Sequence, residues 1–146
     1  MTPPIVFDRL LLRRRRQRGL RLGAETFLLD QVAGELAQRL RLVLRRFDVA
    51  ADLGTPTAAV RTAIMRDGAV GAIIAVDPVI VAAPSAGDDD PPSLRVAADE
   101  EALPFADATL DLAVSALTLQ AVNDLPGTLV QIRRVLKPDG LFLAAL

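Results

Sequence analysis

The stretch Val49-Ala50-Ala51-Asp52-Leu53-Gly54, continued by Thr55-Pro56-Thr57-Ala58, decides how this sequence is read. An apolar run ends in an acid and a glycine, a short turn follows, and a helical pattern begins at Pro56. That is the first strand and ligand loop of a Rossmann-like α/β unit, in which ligands sit beyond the carboxyl ends of parallel strands. Thr55 before Pro56 predicts a helix start, with a hydroxyl cap and a proline at the first helical position.

Working outward, strand one is predicted over Phe47–Leu53 and a helix over Pro56–Arg66, closed by Asp67-Gly68. Gly71–Val76 is a continuous apolar run closed by Asp77-Pro78, the signature of a strand buried on both faces. Further predicted strands are Leu94–Ala98, Leu110–Ser115 and Leu141–Ala145, with a helix over Asp124–Leu136 and a tight turn at Lys137-Pro138-Asp139-Gly140. Residues 79–93 interrupt the alternation, because Pro84, Gly87 and Pro91-Pro92 read as a loop where a helix belongs. Asp88-Asp89-Asp90 reads there as a solvated turn, since cation loops need alternating ligands around a glycine; no metal site is expected. Upstream, Leu28, Val32, Leu36, Leu40 and Leu44 recur every fourth residue and predict a helix over 24–46 that covers the sheet. A shorter helix over 5–18 carries a run of arginines and is expected to stop at Gly19. The expected architecture is an α/β, mostly parallel sheet of about five strands (residues 47–146) with a basic N-terminal helical extension (residues 1–46).

Composition narrows the chemistry. The 146 residues contain no Cys and no His, so disulfides, thiolate metal sites, cysteine nucleophiles and Ser-His-Asp triads are excluded. No catalytic residue can be named. The net charge of −1 conceals an asymmetry. Residues 1–46 hold 11 Arg against 4 acids, the remainder 6 basic against 14 acidic residues. The basic segment is therefore expected to pack on the acidic body or to face an acidic partner. Nucleic acid is not the expected partner, because no aromatic residues interleave the arginines for base stacking. No apolar run reaches the roughly 18 residues of a membrane span, and a cytoplasmic protein is expected.

Three acids, Asp52, Asp77 and Asp99, stand at the ends of three successive predicted strands. An acid after strand two is placed to accept ribose hydroxyls, and one after strand three to reach an adenine amino group. With Asp52-Leu53-Gly54, Val76-Asp77-Pro78, Leu103-Pro104-Phe105, Leu110–Ser115 and Leu136-Lys137-Pro138-Asp139-Gly140, residues 47–146 resemble the class I S-adenosylmethionine-dependent methyltransferases. Val6-Phe7-Asp8-Arg9 and Leu119–Pro126 extend the likeness to the branch holding the malonyl-carrier-protein methyltransferases of biotin synthesis and the methyltransferase-like assembly factors of respiratory complex I.

The resemblance implies S-adenosylmethionine as cofactor and methyl transfer to an acceptor, small molecule or protein, that the sequence does not name. It implies that Asp52 and Gly54 lie beside the methionine part of the cofactor, Asp77 on the ribose, Asp99 and the Glu100 backbone on the adenine, and Ser115 at the substrate mouth. The same likeness permits a non-catalytic assembly or interaction factor, or a protein-arginine hydroxylase. Pro56 and Ala58 stand where relatives usually carry glycine, and Gln120-Ala121 where the narrower branch usually has His and Trp. The resemblance implies two further strands, which would follow residue 146. A truncated or degenerate member is expected, with self-association or a partner at the strand-five edge.

Overall fold

The computed structural model describes residues 4–23, 25–79, 91 and 93–146. The loop and the shortened helix expected within 79–93, with the acid triplet, lie almost wholly outside those residues. Helix α1 spans Arg9–Leu22 and α2 Phe27–Arg41. Strand β1 (Phe47–Leu53), α3 (Ala59–Met65) and β2 (Val70–Asp77) follow, then β3 (Leu94–Ala97), β4 (Leu110–Ala116), α4 (Leu125–Val135) and β5 (Leu136–Ala145). The five strands form one parallel sheet in the order β3-β2-β1-β4-β5. The chain leaves β1 toward one edge and returns to its other side with β4, so a topological switch point lies between β1 and β4.

Two apolar layers cover the sheet. On one face α2 contributes Leu29, Ala33, Leu36, Ala37 and Leu40, and α3 contributes Val60 and Ile64, against Phe47, Ile73, Leu112 and Val114. On the other, Ile132 and Val135 of α4 meet Leu53, Val76, Ala113 and Leu119. Alternate residues of β4 serve the two layers, as strand geometry requires. Arg134 of α4 ties the Leu103-Pro104-Phe105 turn to the body by donating to the carbonyls of Phe105 (2.8 Å) and Leu103 (3.2 Å). This anchors the loop that carries Asp99 and Glu100.

Several expected boundaries move, each for a local reason. Helix α1 begins at Asp8, whose carboxylate accepts from the Leu11 N–H at 2.9 Å, and it runs through Gly19 to stop at Gly23, which takes a left-handed φ of +77°. The buried stripe of α2 includes Leu29 and Ala33, while Leu28 faces outward and Leu44 lies beyond the helix end. Thr55 does not cap α3. Its hydroxyl donates to Asp52, and α3 starts four residues later, at Ala59. The Lys137–Gly140 turn is a bulge inside β5 rather than its boundary. Leu110 pairs with Leu136 and Leu112 with Leu141, so one strand advances two residues while its neighbour advances five. Asp139 absorbs the excess with φ +65°.

Candidate functional site

The parallel register brings the carboxyl ends of β1, β2, β3 and β4 to one edge of the sheet. Gly54 follows β1 there with φ +79°, and a side-chain carbon at this position would overlap Glu100 and Thr118. Glycine is needed for both the backbone conformation and the close approach. The Gly54 N–H donates to the Val76 carbonyl at 2.7 Å, which ties the β1 loop to β2. Asp77 ends β2, and its carboxylate accepts from the Val79 N–H at 2.8 Å. Asp99 and Glu100 follow β3 in a turn in which Asp99 accepts from the Glu101 N–H at 3.0 Å. Burial pushes the Asp77 and Glu100 carboxyls above their ordinary range, against the opposing pull of nearby arginines. Gly54, Asp77, Asp99 and Glu100 thus form a row of backbone and carboxylate acceptors along the edge.

Helix α1 lies across this row. Arg9 donates to Asp99 (2.6 Å) and Glu100 (2.7 Å), Arg13 to Asp99, and Arg16 to the Gly54 carbonyl and to Asp77 (3.5 Å). The expectation that the basic segment packs on the acidic body is met residue by residue. The segment before the helix is clasped by Asn123. Its Oδ1 accepts from the N–H groups of Val6 and Phe7, both at 2.8 Å, and its Nδ2 donates to the Phe7 carbonyl at 3.1 Å. The segments Val6–Arg9 and Leu119–Pro126, far apart in sequence, therefore meet. A crevice of about 380 Å³ remains between α1 and the strand ends, with Pro56, Pro78, Thr118, Gln120 and Ala121 on its body side.

Two of the expected site residues do not face the row. Asp52 is buried, and its carboxylate is held by Arg61 of α3 at 2.8 Å and by the Thr55 hydroxyl. Burial raises its pKa to about 6, partly offset by the Thr55 hydrogen bond and the Arg61 charge. Ser115 is also enclosed, its hydroxyl donating to the Leu53 carbonyl at 3.2 Å. Both side chains support the β1 loop from behind. Sequence reasoning missed Arg61, since nothing in the sequence pairs it with an acid nine residues earlier. The roles of Arg9, Arg13 and Arg16 had a usable signal: spacing of four and then three residues puts them on one helical face.

The strand order, the switch point and the carboxylates beyond β2 and β3 define a Rossmann-like domain of the nucleoside-cofactor type. The chain belongs to the methyltransferase domain family, which matches residues 51–144. It is 35% identical over 144 residues to the mitochondrial arginine-hydroxylase NDUFAF5 of Homo sapiens, covering 97% of this chain and 41% of that protein. It is 52% identical over 50 residues to the malonyl-[acyl-carrier protein] O-methyltransferase of Gallionella capsiferriformans, covering 34% of this chain and 17% of that one. A solved Methanococcus maripaludis protein of the S-adenosyl-L-methionine-dependent methyltransferase type shares the fold. Its TM-score is 0.66 at 16% identity, with 99% of this chain and 66% of that one covered. The chain spans about two-fifths of the length of the NDUFAF5 relatives it matches from end to end. Among the described residues no helix is long and apolar enough to cross a membrane.

Proposed function

We propose that this chain carries the cofactor-binding part of an S-adenosylmethionine-dependent methyltransferase. The observation that carries the reading is the acceptor row Gly54–Asp77–Asp99–Glu100 on a sheet of this strand order, inside a methyltransferase family match. The row suits the cofactor in its hydrogen-bonding sense. Ribose hydroxyls and an adenine amino group donate, and every group on the row accepts; in this structure guanidinium N–H groups are the donors. Asp77 would hold the ribose hydroxyls, Asp99 and the Glu100 backbone the adenine, and the Gly54 loop the methionine end. Asp52 and Ser115 would act through that loop, keeping its backbone in place.

When bound, the cofactor supplies a methyl group on a sulfonium, already a good leaving group, so the protein's part is mainly to position the acceptor and exclude water. The lack of His is compatible with that division of labour. The crevice beside Thr118, Gln120 and Ala121 is the proposed approach for the acceptor. The match to an arginine-hydroxylase over 97% of the chain favours a second reading, in which the same fold acts on a protein arginine.

Calorimetric titration with S-adenosylhomocysteine tests the cofactor reading. Micromolar binding is expected, weakened at least ~10-fold by Asp77→Ala, the scale of one lost hydrogen bond to a charged group. No binding at millimolar ligand overturns it. Transfer of a labelled methyl group to an acceptor, set against hydroxylation of a protein arginine, separates the two readings.

A further inference from the structure

We propose that α1 is a displaceable plug on the cofactor face, so that cofactor binding and α1 docking exclude each other. The inference rests on the cofactor reading above. Arg9, Arg13 and Arg16 do not merely lie near the row: they use the hydrogen-bonding capacity that the cofactor would need. Arg16 takes the Gly54 carbonyl and reaches Asp77 at 3.5 Å, and Arg9 and Arg13 take the Asp99 carboxylate; Arg9 also holds the Glu100 carboxylate, beside the backbone assigned to the adenine. A carboxylate that accepts from a guanidinium cannot present the same lone pairs to a ribose hydroxyl.

The way α1 is held makes it removable. None of its 14 residues is buried, and Leu10, Leu11 and Leu22 face solvent. Ion pairs and hydrogen bonds, which salt screens, hold it to the body, and its half-buried Leu20 belongs to neither apolar layer of the sheet. The helix has a natural pivot. Asn123 clasps the backbone of Val6 and Phe7 just before it, while Gly23 ends it in a left-handed conformation with open space around its Cα. Swinging α1 about the Asn123 clasp would free the row without disturbing either apolar layer of the sheet.

A protein whose competent state is only partly populated binds with its affinity reduced by that fraction. The test is calorimetric titration with S-adenosylhomocysteine, which lacks the sulfonium charge and carries no net charge, so salt acts mainly on the plug. For the unmodified chain, affinity is expected to tighten severalfold between about 50 mM and about 0.5 M NaCl. The triple variant Arg9→Gln/Arg13→Gln/Arg16→Gln is expected to bind about tenfold tighter at low salt and to show no salt response. Because the triple variant leaves Glu100 buried without its arginine, Arg16→Gln alone is measured beside it. That change leaves the Arg9–Glu100 pair intact and should still tighten binding by about threefold. Hydrogen exchange reports the helix directly: its amides should exchange faster when ligand is added to the unmodified chain.

Equal affinity across salts and variants overturns the plug and leaves the cofactor reading standing. So does added protection of α1 on ligand binding, the mark of a lid that closes over its ligand. Absence of binding by every chain at millimolar ligand overturns both.

Discussion

Two arginine–carboxylate assemblies in this molecule use the same chemistry for opposite ends. Asp52 and Arg61 meet within the body, their side chains 0% and 5% exposed, on segments nine residues apart. Arg9, Arg13 and Arg16 meet Asp77, Asp99 and Glu100 at a joint where side chains are up to 35% exposed and the segments are more than 60 residues apart. In the enclosed pair neither partner can turn to water when the other is lost. In the row Asp77 and Asp99 keep one side toward water while Glu100 is enclosed, and the arginine-bearing element has no buried residue of its own to hold it. The comparison teaches that enclosure, more than pairing, decides whether an ion pair fixes a fold or permits an exchange of partners.

The largest expected effect breaks the enclosed pair. Arg61→Ala leaves a buried carboxylate without its cation and should cost about 3–5 kcal/mol of stability, read from the urea midpoint. The double change Asp52→Asn/Arg61→Met should recover much of that loss, since an apolar replacement can equal a buried pair. A loss below ~1 kcal/mol for Arg61→Ala would place the pair with the open row and erase the contrast.

Next is Gly54→Ala, which strikes the point where both assemblies touch the same loop. A side chain there meets Glu100 and Thr118 and must hold a left-handed φ. A cost of at least ~1–2 kcal/mol is expected from the backbone alone, seen as a lower melting temperature. An unchanged melting temperature would mean that the loop adapts freely.

The mildest perturbation is pH, and it should divide the two regions. Asp52 has a folded pKa of about 6, raised above its ordinary value. Its contribution to stability is therefore fully present below pH ~4 and lost as pH rises through about 6, so acidification from neutrality favours the body through this group. Asp77, facing Arg16, Arg61 and Arg95, and Glu100, facing Arg9 and Asp99, are also raised. Their protonation removes the charges that hold α1. On acidification, protection factors of the α1 amides should fall while the urea midpoint of the body does not. Parallel decline of both would show that the joint and the body are one cooperative unit.

The sheet was legible where continuous apolar runs mark its central strands, although Gly71 and Ala72 of β2 are exposed rather than buried on both faces. The apolar runs at Phe47–Leu53, Gly71–Val76 and Leu110–Ser115 fall within one residue of β1, β2 and β4, because each is flanked by helices or loops that admit no other reading. The start of α3 was not legible, since Thr55 had two partners available and the buried Asp52 carboxylate took it. The β5 bulge was hidden because Pro138-Asp139-Gly140 is ordinary turn chemistry, and only pairing with β4 shows the strand running through it. At the site, the acids beyond β2 and β3 could be placed from their spacing. The inward turn of Asp52 and Ser115 could not, because it depends on how the β1 loop sits against α3 and β4.

The polar joint beneath α1 has a thermal consequence. Exposing apolar surface raises heat capacity and exposing polar surface lowers it. The body therefore has a domed stability curve and loses strength on both cooling and heating. Undocking α1 breaks ion pairs and hydrogen bonds and uncovers no fully buried residue of the helix, so its heat-capacity change should be small beside that of the body. Its equilibrium should follow an almost straight van't Hoff line. Temperature would then tune the helix and the sheet by different laws within one short chain.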